Sequence, residues 1–93
     1  MQEILLDIRP FEEKVSLHRY FQERLGFSFC YGANLDALFD ELTSATEATI
    51  ILLRYPIRPK GKMIDYLPRL LVVFEDAARE NYNLSVRFEE AEP

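Results

Sequence analysis

Apolar positions along this chain follow two rhythms, one unbroken or of period two and one of period near 3.6, and the two alternate. Ile4-Leu5-Leu6-Asp7-Ile8 is a short apolar run stopped by Arg9-Pro10, which predicts a strand. From Phe11 to Leu25 there is no internal Gly or Pro, and Leu17, Phe21 and Leu25 recur every fourth position, which predicts a helix with one buried stripe. Gly26 ends it, and Phe27-Ser28-Phe29-Cys30 leads on as a loop. Leu35, Leu38, Phe39 and Leu42 then fall at i, i+3, i+4 and i+7, the stripe of a second, shorter helix. Asn34 is its expected N-cap, after a turn at Gly32, whose backbone is free to be left-handed or strained.

Beyond the polar connector Thr43 to Glu47, the β-branched-rich run Ala48-Thr49-Ile50-Ile51-Leu52-Leu53 predicts the central strand. Arg54 to Lys62 is expected to be a basic loop. Met63 to Asn81 has helical periodicity but contains Pro68, which a helix tolerates only in its first turn. A short helical turn followed by a main helix from about Leu67 to Asn81 is therefore expected, with Leu67, Leu70, Leu71, Phe74 and Ala78 inward. Leu84-Ser85-Val86-Arg87-Phe88 alternates strictly, as an edge strand with one wet face does. Strands separated by helices imply parallel pairing through right-handed crossovers, so the order β-α-α-β-α-β predicts an α/β fold with a three-stranded parallel sheet.

Composition narrows the function classes. A chain of 93 residues with 48% hydrophobic positions suits one domain spanning 1–93. With 11 Lys plus Arg against 16 Asp plus Glu, the net charge of −5 argues against general binding of nucleic acid or anionic membrane and suits a basic partner. One cysteine excludes an internal disulfide, and no apolar run approaches a membrane span. The start Met1-Gln2-Glu3-Ile4 lacks the basic and apolar regions of a signal peptide, so a cytoplasmic protein is expected, monomeric when free.

Little in the sequence supports catalysis. His18 has no second ligand at metal spacing and Cys30 has no base near it in sequence, so neither a metal nor a cofactor is expected. His18 reads as a partly buried, hydrogen-bonded helix residue, and Cys30 as a small buried or half-buried one. Asp36 and Asp40 stand out instead. They lie one turn apart on the flank beside the Leu35 stripe, where like charges repel, and Asp40 with Glu41 sits toward the negative end of the helix dipole. Two such carboxylates can do acid–base work in principle, but no nucleophile, phosphate loop or cofactor fingerprint accompanies them, and an enzyme is not expected. Occupying the anion sites of a basic protein is a better physical use for them.

The segment that carries these carboxylates, Tyr31-Gly32-x-Asn34-Leu35-Asp36-Ala37-Leu38-x-Asp40, resembles the barstar family of small intracellular ribonuclease inhibitors. Weaker resemblance runs through Leu17-His18 with Phe21 and Leu25, and through Val73-Phe74 with Ala77. It implies a barstar-like two-layer fold, a three-stranded parallel sheet with three to four helices packed mainly on one side. It also implies that an acidic helix and loop block a ribonuclease active site as a substrate mimic, with Asp40 inserted and Asp36 beside it. Asp76 falls where the family has a contacting acidic residue, and Glu47 matches another. Phe39 stands where barstar has a tryptophan, and Tyr31, Gly32 and Asn34 complete the implied contact segment. Cys30 replaces a family tyrosine and Ala45 a tryptophan, so two aromatic contacts are missing, and Arg54 to Lys62 has no family counterpart. The alternative is a non-inhibitory binding or regulatory module on the same fold.

Overall fold

A computed structural model describes residues 1–92. The elements follow in the order β1 (Gln2–Asp7), α1 (Lys14–Leu25), α2 (Leu35–Thr43), β2 (Thr49–Pro56), α3 (Met63–Glu80) and β3 (Leu84–Ala91). The sheet is three-stranded and parallel, in the order β1-β2-β3, so the unbroken apolar run is the central strand. Ile51 lies between Ile4 and Val86, and Leu53 between Leu6 and Phe88. This register turns Leu6, Ile51, Leu53 and Leu84 toward the helices. There they meet Leu17 and Phe21 of α1, Leu38 and Leu42 of α2, and Leu67, Leu70 and Phe74 of α3, all buried. The opposite sheet face, around Leu5, Ile50 and Leu52, stays partly open. With helices on one side of a parallel sheet, the fold is the α/β two-layer architecture expected.

The largest departure from expectation is α3. It is one helix of 18 residues with Pro68 inside it. Proline cannot donate to the carbonyl of Ile64 and its ring crowds that turn, at a cost of about 3 kcal/mol in a helix interior. Burial outweighs it. Met63, Tyr66, Leu67, Leu70, Phe74 and Ala77 form one continuous buried face, so ending the helix at Pro68 would expose its first three members. Of the inward residues expected, Leu71 and Ala78 lie at the margin of the core.

Smaller differences also have causes. Helix α1 begins at Lys14 because residues 10–13 are held otherwise: Phe11 stacks on Tyr20 at 5.0 Å, and the Glu12 carbonyl accepts from Lys62 N–H at 3.0 Å. Arg54 belongs to β2 and pairs with Glu89 of β3, which removes it from the basic loop. No helix among the described residues is long and apolar enough to cross a membrane.

Candidate functional site

The acidic segment is built on a buried polar pin. His18 is fully buried in α1, with Nδ1 2.7 Å from the Tyr31 hydroxyl and Nε2 2.6 Å from the Tyr66 hydroxyl. A neutral imidazole has one donor and one acceptor, so one tyrosine donates to the ring and the other accepts from it. Burial, with Lys14 nearby, pushes the His18 imidazole down to about 4. Burial also raises both tyrosine hydroxyls; Tyr66 and Glu41 add to the effect at Tyr31, whereas Arg69 opposes it at Tyr66. The trio therefore stays neutral. It fastens the start of the acidic segment to both α1 and α3. Tyr31 is half-buried, with its ring 4.9 Å from Phe27, so its hydroxyl serves the inside of the molecule.

The turn into α2 follows. Its left-handed residue is Ala33, at φ 54°, and Gly32 does not have positive φ. Gly32 is needed for space: a Cβ there would lie 3.2 Å from Ala37 Cβ and 3.5 Å from Asn34 Nδ2. Asn34 caps the helix as expected, with Oδ1 accepting from Ala37 N–H at 2.8 Å. At the far end the Ser44 hydroxyl donates to the Asp40 carbonyl at 2.6 Å, and the Thr43 hydroxyl donates to the Phe39 carbonyl at 2.8 Å. Both ends of this short helix are thus closed by side chains.

Helix α2 buries Leu38 and Leu42, half-buries Leu35 and Phe39, and leaves Asp36 and Asp40 exposed one turn apart. Among the described residues neither carboxylate has an ion-pair partner. Asp36 lines a cleft with Lys14, Asn34, Tyr66 and Arg69, so this flank of α2 is turned toward α3. Asp76 is two turns on from Arg69 along the same side of α3. The Asn81 side chain, donating to the Leu42 and Ala45 carbonyls at 3.0 and 2.9 Å, ties the two helices together at their other ends. Asp36, Asp40 and Asp76 therefore border one α2–α3 surface. Asp76 is bound to Arg79 at 3.0 Å, so its charge is partly neutralised within α3. Glu47 is exposed in the connector before β2.

One neighbour differs from expectation, and another is not singled out by the sequence. Cys30 is exposed, because the loop from Phe27 to Tyr31 is anchored by Phe27 and Tyr31 and turns the residues between them outward. Phe29 in the same loop is 93% exposed, an aromatic that periodicity passes over because it belongs to no stripe. Its only sequence signal is position: two residues before Tyr31 in the segment leading to the acidic helix. Among the described residues no three His, Cys, Asp or Glu side chains gather as a metal site.

Comparison with known proteins agrees with this fold. The model of the family described as "Barstar (barnase inhibitor)" matches residues 1–90. A protein of Bacillus subtilis (strain 168), named "Putative ribonuclease inhibitor YrdF", is 32% identical over 81 residues, covering 86% of this chain and 89% of that protein. The whole segment from Tyr31 to Asp40 lies within the matched family region, and the chain belongs to the barstar family.

Proposed function

We propose that this protein is a stoichiometric inhibitor of a basic ribonuclease, and that the acidic flank of α2 with the loop before it covers the nuclease active site. The observation that carries this reading is the pair Asp36 and Asp40, exposed and, among the described residues, without ion-pair partners on a helix whose opposite face and both ends are locked. A nuclease that cleaves a phosphodiester lines its site with cations to hold the phosphate. Two fixed carboxylates take the phosphate's place, with hydrogen bonds strengthened by charge on both sides. Because α2 is already ordered by its cap, its core stripe and the His18 pin, little conformational entropy is lost on docking. The mutual repulsion of Asp36 and Asp40, and the unfavourable dipole at Asp40, are relieved when cations arrive.

In this reading Asp40 enters the active site and Asp36 lies beside it, while Tyr31, Gly32 and Asn34 set the position of the helix. Phe39, Asp76 and Glu47 border the contact. Phe29 supplies an exposed aromatic next to Cys30, where a family aromatic is missing. The chain turns nothing over and works in the cytoplasm. The test is to titrate it into barnase, the nuclease that the family description names, and into basic ribonucleases of its own host. Activity should fall linearly to a one-to-one end point against the cognate enzyme. Tight binding with nuclease activity intact would favour the regulatory module instead.

A further inference from the structure

One outer edge of the sheet is β3, a strand of eight residues with no proline in it. Its inner edge is fixed by Thr49 N–H donating to the Asn83 carbonyl at 2.8 Å and Ile57 N–H donating to the Ala91 carbonyl at 3.2 Å. In a parallel ladder these bonds alternate, so Ser85, Arg87, Glu89 and Ala91 turn their backbone groups toward β2. Val86, Phe88 and Glu90 turn theirs outward. Such an edge is a template for another strand unless something blunts it. Beside it, Phe88 is 40% exposed and Val72 of α3 is 53% exposed, and with Tyr55 and Leu71 they line a groove. Glu75 rims that groove, whereas the cleft beside Asp36 is lined from the other flank of α3 by Tyr66 and Arg69.

We propose that a second copy of this chain occupies this edge, with the two β3 strands pairing antiparallel about a two-fold axis at Phe88 to make one six-stranded sheet. Charge selects this occupant and this register. With the axis at Phe88, Arg87 of each copy lies directly opposite Glu89 of the other, on the same sheet face, so two complementary pairs form. Moving the axis to Arg87 or to Glu89 sets like charges against each other, and moving it to Val86 leaves Arg87 opposite Ser85. At Phe88 the outward groups of Val86 also meet those of Glu90, and the two Phe88 rings close the paired grooves. Glu89 is already held by Arg54 of its own strand pair, which fixes the carboxylate for its new partner. This dimer departs from the monomer expected from sequence. It leaves the α2 flank of α3 uncovered, so each copy keeps its acidic surface.

The test is sedimentation equilibrium from about 1 µM to about 1 mM, the range of weak association. The wild type should pass from monomer to dimer. Glu90→Pro removes an outward N–H that β2 does not use, and Arg87→Glu sets two like-charge pairs across the axis. Each should weaken self-association by about tenfold or more while the melting temperature of the monomer stays within a degree or two. Glu89→Arg should weaken self-association to the same extent, but with a lower monomer melting temperature, because it sets a second cation against Arg54. An equimolar mixture of Arg87→Glu with Glu89→Arg should recover the dimer, because both cross-strand pairs are then complementary. A wild type that is monomeric throughout the range, or a dimer indifferent to Glu90→Pro and Arg87→Glu, would overturn the proposal.

Discussion

Ala33 is the one described residue other than glycine with positive φ, and it stands at the turn that aims α2. A left-handed backbone costs a residue with a Cβ about 1 kcal/mol, so Ala33→Gly should stabilise the protein by about that amount in chemical denaturation. No gain would mean that the turn is unstrained. His18 sets a pH dependence whose sign is fixed. Its folded value of about 4 lies below the unfolded 6.5, so the unfolded chain binds the proton first. Its contribution to stability is complete above pH 6.5, declines as pH falls, and is gone once pH has passed below about 4. Asp7, held below its usual 3.8 chiefly by the hydrogen bond from the Arg9 side chain, acts in a lower window. Urea melts between pH 7 and 4 should show the decline, and His18→Gln should flatten it. Phe29 gives the complementary case. At 93% exposed it contributes almost nothing to the core, so Phe29→Ala should leave stability within about 0.5 kcal/mol. Nuclease binding should weaken by about 1–2 kcal/mol, as read by calorimetry.

At the scale of elements, the inward stripe of α2 was legible because its spacing admits one helix face, and Leu38 and Leu42 are indeed buried. Leu38→Ala should cost about 2–5 kcal/mol, since the cavity would open between helix and sheet. The strands were legible as well, though β3 runs three residues past Phe88 because β2 extends to Pro56 and keeps pairing with it. Pro68 misled for a physical reason: the proline rule is local, whereas the face from Met63 to Ala77 is secured by contacts distant in sequence. Pro68 is exposed within that helix, and Pro68→Ala should therefore stabilise the protein by about 1–3 kcal/mol. An unchanged or lower melting temperature would show that the helix accommodates the ring without loss. Of the candidate site, the geometry that depends on residue type was legible: the cap at Asn34 and the outward flank of Asp36 and Asp40. What depends on packing was not: the outward loop at Phe29 and Cys30, the double hydrogen bond of His18, and the neutralisation of Asp76 by Arg79.

For the whole molecule, a net charge of −5, with Asp36 and Asp40 unpaired among the described residues on one flank of α2, predicts steered association with a cationic nuclease. Association should be fast at low salt and slow as screening rises, while dissociation changes less. The barnase–barstar pair is itself the reference case for such steering, so the size of the effect is carried over from the family. An association rate indifferent to salt would count against an acidic interface. On the proposed function Asp40 serves the partner and not the fold, and Asp40→Ala separates the two. Inhibition and thermal stability should be measured on one preparation, against the ribonuclease that the wild type blocks. Stability should be unchanged, or higher by a few tenths of a kcal/mol from relieved repulsion with Asp36 and the dipole. Inhibition should be weaker by several kcal/mol, a size again inherited from the family's nuclease complex, because a desolvated cationic pocket would be left without its anion. A folded Asp40→Ala protein that inhibits as well as the wild type would contradict the account.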